Sequence, residues 1–308
     1  MARDLLVGST GFVGGNLAAE HGFADACHSS DVAARYGTRP ELCVYAGVPA
    51  AMFLANADPD ADLAVMAAAR ENLRCIAPQQ VVLVSTIAVY ADSRGCDETS
   101  PLPAGELPAY GRNRLQLERW VREDFPAALI VRLPALYGRG LKKNFLYDLH
   151  TITPAMLRPE KYRELAAESE LVKTGYTLAG NGFYKLNGAA DPAALRNWFA
   201  HNEFNALAFT DSRSRYQYYP LARLWRDIQI ALAAGLTVLN LATPPVSAAA
   251  VYTAVTGKTD WHNELSVPPY DYDLRSRHAA LLGGRDGYLC TEAEELREIC
   301  AFMSAWRD

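Results

Sequence analysis

Apolar runs alternate with amphipathic stretches through the first half of the chain. LLVG at 5–8, FADACHS at 23–29, ELCVYAG at 41–47, VVLVSTIAVY at 81–90 and ALIVRLP at 128–134 read as strands. Their near-continuous apolarity marks strands covered on both faces. Between them Gly15–His21, Asp62–Ala77 and Arg112–Glu123 carry apolar residues near helical spacing. The rhythm predicts an α/β fold with a doubly wound parallel sheet. It breaks after Gly140: residues from about 141 to 200 read as mostly helical, punctuated by Pro154, Pro159 and Gly180–Gly182. One more α/β unit is expected near Leu221–Ala242, where GLTVLNLAT reads as a strand, and the tail from about 245 to 308 is mixed. The expected division is a larger unit of 1–140 plus about 205–242, and a smaller mixed one of about 141–204 plus 243–308.

With 308 residues, half of them hydrophobic, the chain can bury a full core without disulfide or metal staples. The net charge is −5 and no run of Lys or Arg is present, so nucleic acid is excluded as an expected partner. The cysteines Cys27, Cys43, Cys75, Cys96, Cys290 and Cys300 form no Cys-x-x-Cys pair and are expected to be reduced, buried thiols. No histidine has a second histidine or a carboxylate at ligand spacing, so no metal is expected. The strand pattern begins at once, without a charged and apolar leader. No apolar run reaches the roughly 18 residues of a membrane span, and a cytoplasmic protein with no membrane partner is expected.

The first strand runs directly into Gly8-Ser-Thr10-Gly11-Phe12-Val13-Gly14 and then a helix. Glycines at this spacing permit a tight turn, a close approach to a pyrophosphate and tight helix packing, while helix-terminal N–H groups face the anion. This predicts a dinucleotide site. A carboxylate at the end of the second strand would bind the adenine ribose of NAD. Here the tip falls on His28, Ser29 and Ser30, and Asp31 comes late. A neutral tip with Arg35 or Arg39 nearby tilts the expectation toward NADP; a shift of register that brings Asp31 to the ribose gives NAD.

The strand ending Ser85-Thr86-Ile87-Ala88-Val89-Tyr90 is followed by a helix with Tyr110 and, four residues on, Arg114. Together with the glycine loop, the VYAGVPAA segment at 44–51 and the RLPALYG segment at 132–138, this chain resembles the extended short-chain dehydrogenases/reductases, NAD(P)-dependent enzymes that modify sugar nucleotides. The resemblance implies a Rossmann domain in the larger unit and substrate binding in the smaller one. It implies Tyr110 as general acid/base, Arg114 as its electrostatic partner and Thr86 as the residue orienting the substrate oxygen. It places the cofactor on Gly8, Thr10, Gly11, Phe12, Val13, Gly14, Ser29, Ala46, Gly47, Ser85, Tyr110, Arg114, Leu133 and Pro134. The substrate falls to Thr86, Tyr90, Asn144, Arg215 and Arg275, with Arg277 as an alternative to the last. A homodimer follows by analogy.

Two departures stand out. The family's lysine is Arg114, whose planar fork stays protonated and does not reproduce an ammonium's contact with the nicotinamide ribose. The family's structural asparagine has no match, Asn72 lying too near the catalytic strand. Thr86 precedes Ile87 and Ala88 rather than an acidic pair, which disfavours a dehydratase. The expected activity is a 4-keto sugar nucleotide reductase. The alternatives are an epimerase that retains NAD, and a dinucleotide-binding pseudoenzyme or sensor made so by Arg114.

Overall fold

The computed structural model describes residues 4–103, 105 and 107–306. They divide into two compact units: Met1–Leu141, Arg215–Val246 and Asp271–Glu298 form the first, and Lys142–Ser214, Ser247–Tyr270 and Ile299–Asp308 the second.

In the first unit β1 (Asp4–Val7) leads to α1 (Phe12–Glu20), β2 (Asp25–Cys27) and β3 (Leu42–Tyr45). The chain continues through α2 (Met52–Ala57), α3 (Pro59–Ile76), β4 (Gln80–Thr86), α4 (Ala109–Asp124) and β5 (Leu129–Leu133). A later helix, Leu224–Ala233, and strand, Val238–Asn240, complete it. The six strands lie in the order Val238–Asn240, β5, β4, β3, β1, β2, and every pairing is parallel.

Successive strand residues point to opposite faces, and both faces are buried. Leu6, Val44, Val82 and Val131 pack with Leu17 and with Leu224, Ile228 and Ala231. Leu5, Cys43, Val81, Leu83 and Ile130 pack on the other side with Met66, Leu73 and Ile76 of α3 and Leu117 and Val121 of α4. This double burial is the physical origin of the continuous apolar runs. From β1 the chain steps outward to β2 and then crosses to the other flank of β1 for β3. The carboxyl ends of β1 and β3 therefore flank the topological switch point, where open α/β sheets bind ligands.

Three sequence expectations need correction. The strand read at 81–90 stops at Thr86, where Ile87–Val89 turns as a 3₁₀ helix started by the Thr86 hydroxyl accepting from the Ala88 amide at 3.2 Å. Residues 271–298 fold into the first unit, because Ala279, Leu282 and Leu289 are buried in its core, whereas the linear reading gave everything after 243 to the second. Only Cys27 and Cys43 are buried; Cys75, Cys96, Cys290 and Cys300 are part-exposed, and all six are free thiols.

The second unit has its own core of Leu157, Leu165, Val172, Tyr176, Leu195 and Phe199. Besides helices it holds a three-stranded antiparallel sheet of Met156–Leu157, Tyr184–Leu186 and Tyr176–Leu178 within the stretch read as mostly helical. Strands of two or three residues are too short to show a period. Among the described residues no helix is long and apolar enough to cross a membrane.

Candidate active site

The glycine loop closes the switch point by backbone contact. Gly8 has φ +90°, and a Cβ there would lie 2.6 Å from the carbonyl oxygen of Ala46 at the end of β3. A Cβ on Gly14 would lie 2.1 Å from the Gly8 carbonyl oxygen, so α1 can pack on the loop only with glycine at this place. The Gly8 and Ser9 amides donate to the Cys27 carbonyl at 2.8 and 3.1 Å, joining the loop to the end of β2. Ser29 abuts Gly47, whose Cβ would stand 3.2 Å from that of Ser29. Gly8, Ser29, Ala46 and Gly47 thus lie together. Gly11 begins α1 without a side-chain cap, which leaves the first amides of a nine-residue helix to Phe12, Val13 and Gly14 for an anion. This cradle fits a dinucleotide pyrophosphate.

Thr10 does not face the loop alone: its hydroxyl and His28 Nδ1 are 2.8 Å apart. Arg35 is held bidentately by Asp25 at 2.6 and 2.9 Å. Asp31 is exposed and lies beyond the end of β2, at the head of the 3₁₀ turn Val32–Arg35. Asn16 was missed by sequence reasoning. It is buried, donates to the carbonyls of Phe12 and Arg139 at 2.7 and 2.9 Å and accepts from the Arg139 amide at 3.0 Å, tying α1 to the segment after Tyr137.

The second cluster sits at the ends of β4 and β5, where Thr86 pairs in register with Leu133, the residue before Pro134. A Cβ on Gly111 would lie 2.0 Å from the Ala88 carbonyl oxygen, so α4 meets the turn after Thr86 backbone to backbone. That contact brings Tyr110 beside Thr86, close enough for the Thr86 side chain to act on the phenol. The Arg114 guanidinium carbon lies 3.8 Å from the centroid of the Tyr110 ring. Arg114 itself donates from Nη1 to Asp62 at 2.6 Å and to the Tyr110 carbonyl at 3.2 Å, and from Nη2 to the Pro49 carbonyl at 2.7 Å. Arg114 is 5% and Asp62 9% exposed at the side chain, so the pair is buried.

Burial pushes the Tyr110 phenol above its ordinary value. Arg114 and the Thr86 hydrogen bond pull it back, and the Asp62 charge adds to the rise. Desolvation therefore outweighs the pull of the Arg114 cation. Sequence reasoning also missed Asp62 and Asn113, whose amide donates to Asp62 and to the Pro59 carbonyl at 2.9 Å each. The available signal was Asp58-Pro59 opening α3, with Asp58 accepting from the Ala61 amide at 3.1 Å and Asp62 in the first turn.

Two expected site residues are committed elsewhere. Ser85 donates to Glu118 Oε1 at 2.6 Å, and Arg132 clamps the same carboxylate at 3.1 and 2.6 Å. Tyr90 accepts from Arg132 at 2.7 Å and from Asn240 at 3.0 Å, and donates to the Asp97 carbonyl at 2.9 Å. Alternation along β4 turns Ser85 away from Thr86, and the 3₁₀ turn redirects Tyr90 inward.

Arg215 pairs with Asp271 at 3.2 Å, and Arg275 lies 4.7 Å above the Tyr288 ring beside Asp273. Asn144 belongs to the second unit, where its side-chain oxygen caps Phe145–Thr151 by accepting from the Leu146 and Tyr147 amides. Among the histidines, His21 does meet a carboxylate, Asp4, at 2.5 Å. No group of three His, Cys, Asp or Glu able to hold a metal occurs among the described residues.

The Rossmann-like sheet with a glycine loop at its switch point and a Tyr-x-x-x-basic helix beside β4 is similar to the extended short-chain dehydrogenases/reductases. Within that class, residues 5–155 match the family model described as RmlD substrate binding domain. No curated protein matches the chain.

Solved structures share the fold over nearly the whole length. A dTDP-4-dehydrorhamnose reductase from Clostridium acetobutylicum superposes with a TM-score of 0.62 at 15% identity, covering 98% of this chain and 99% of that one. One from Bacillus anthracis, in complex with NADP, gives 0.62 at 14%, covering 99% and 100%. A UDP-N-acetylglucosamine 4-epimerase from Bacillus cereus gives 0.60 at 15%, covering 100% and 98%.

Proposed function

We propose that the chain is an NAD(P)-dependent reductase of a nucleotide-linked keto sugar, with Tyr110 as the proton donor. The observation that carries this reading is the Arg114 guanidinium over the Tyr110 ring, 3.8 Å from its centroid, with the phenol beside Thr86 at the end of β4. Because burial raises the phenol, it is protonated at neutral pH and suited to give a proton to a carbonyl oxygen. When bound, the nicotinamide supplies the hydride that reaches the carbonyl carbon. Thr86 holds the carbonyl oxygen, Tyr110 protonates it, and the phenolate regains its proton from solvent. The product is an alcohol. An epimerase needs the same residue first as a base, for which a raised phenol is less suited; this favours reductase over epimerase.

NADP is favoured over NAD by the neutral tip of β2, where Ser29 stands and Asp31 lies past the strand end. The dTDP-4-dehydrorhamnose reductase in complex with NADP supports the same choice. Asn144, Arg215 and Arg275 remain our candidates for the sugar nucleotide, and a cytoplasmic homodimer completes the reading.

The test is NADPH and NADH oxidation measured across a panel of 4-keto sugar nucleotides. Consumption of NADPH with one of them is expected. Interconversion of two sugar nucleotides with no net change in cofactor would replace the reading by the epimerase. A large gain of turnover from a near-zero base in Arg114→Lys would replace it by the sensor.

A further inference from the structure

We propose that Asp62 is a positioning residue of this site. Its carboxylate holds the Arg114 guanidinium on the face of the Tyr110 ring and offsets part of its charge, so a guanidinium–carboxylate pair serves the phenol in place of a bare cation. The proposal rests on the assignment of Tyr110 as proton donor and explains how arginine occupies the place of the family's lysine.

The geometry is closed on every side. Arg114 Nη1 donates to Asp62 Oδ2 at 2.6 Å, and Nη2 is held by the Pro49 carbonyl at 2.7 Å. Asp62 Oδ2 also accepts from Asn113 at 2.9 Å, so the carboxylate is itself oriented by the residue before Arg114. With both terminal nitrogens engaged, the guanidinium carbon stands over the Tyr110 ring, 3.8 Å from its centroid, in the range of a strong cation–π contact. An arginine without this carboxylate would be a buried unpaired charge, which is costly.

The charged groups facing Tyr110 are few. From α4 there is Arg114, and from α3 there is Asp62. The α2 sequence MFLANA and the turn Ile87–Val89 bring no ionisable side chain, and the contact from α2 is Asn56, which accepts from the Tyr110 amide at 2.9 Å. Asp62 thus works on the phenol in two ways: it places the cation and it weakens it.

A double-mutant cycle separates these roles from simple structural support. Asp62→Asn keeps a hydrogen-bond acceptor for Arg114 and removes the charge; Arg114→Gln removes the cation. Phenolate absorbance is titrated for each protein against its Tyr110→Phe counterpart, which isolates Tyr110 without any substrate. Asp62→Asn should titrate lowest, about one pH unit below wild type. Arg114→Gln should titrate highest, with wild type and the double variant between them.

The alkaline limb of the pH–turnover profile should move with the titration, and Asp62→Glu should restore it. Asp62→Asn titrating at or above wild type overturns the proposal. If Asp62→Asn alone does not fold, the double variant, free of a buried unpaired charge, is compared with Arg114→Gln, and equal titration of the two also overturns it. The predicted order of titration without turnover of any sugar nucleotide supports the Asp62 role and overturns only the reductase reading.

Discussion

Two buried sets of arginine, carboxylate and tyrosine meet α4, and the same three residue types do different work in each. In one, Arg132 binds Glu118 through two nitrogens, is 2% exposed against 0%, and points a third N–H at the Tyr90 oxygen at 2.7 Å. The Tyr90 hydroxyl is fully engaged by Arg132, Asn240 and the Asp97 carbonyl. In the other, Arg114 binds Asp62 through one nitrogen and lies over the ring of Tyr110, whose phenol stands beside Thr86. In the first set the guanidinium donates to the phenol oxygen, which Asn240 and the Asp97 carbonyl also engage, and the tyrosine becomes a structural bolt. In the second the guanidinium lies closer over the ring and gives its N–H groups to Asp62 and to the Pro49 and Tyr110 carbonyls, so it supplies field while the phenol proton stays available for transfer.

The sharpest test of this contrast removes each phenol oxygen in turn. Tyr110→Phe should lower turnover about 10²- to 10⁴-fold, as loss of a general acid does, with cofactor affinity nearly unchanged by fluorescence titration; unaltered turnover would falsify the assignment.

Breaking the structural set should instead show in stability. Glu118→Ala strands Arg132 in the core and should cost about 3–5 kcal/mol in denaturant unfolding. A change of a few tenths would mean that Arg132 finds solvent.

Tyr90→Phe should cost about 1–3 kcal/mol, since it leaves the Arg132 and Asn240 donors unsatisfied. Its KM for substrate should stay at the wild-type value, and a raised KM at wild-type stability would return Tyr90 to the substrate pocket.

The smallest effect is expected for Ser85→Ala, about 1–2 kcal/mol for one hydrogen bond to a buried carboxylate. Its dissociation constant for NADPH should match wild type; a tenfold weaker constant would restore Ser85 to the cofactor site.

The amino-acid sequence alone determined the sheet and the cofactor cradle. Both follow from chain-local physics: apolar runs require burial on two faces, and Gly8 and Gly14 occupy places where backbone meets backbone. The Tyr110, Arg114 and Thr86 spacing was equally legible, because one helical turn and one strand end set it.

Only the tertiary structure decided the rest. The partner of Arg114 comes from 52 residues upstream and that of Tyr90 from 42 residues downstream, so neither Asp62 nor Arg132 is visible as a neighbour in the linear chain. Ser85 and Thr86 are adjacent in sequence but diverge because successive strand side chains point apart, which sends one to Glu118 and the other to Tyr110. A buried charge takes whichever partner the packing brings within reach, and this chain chose a carboxylate for its arginine by folding α3 against α4.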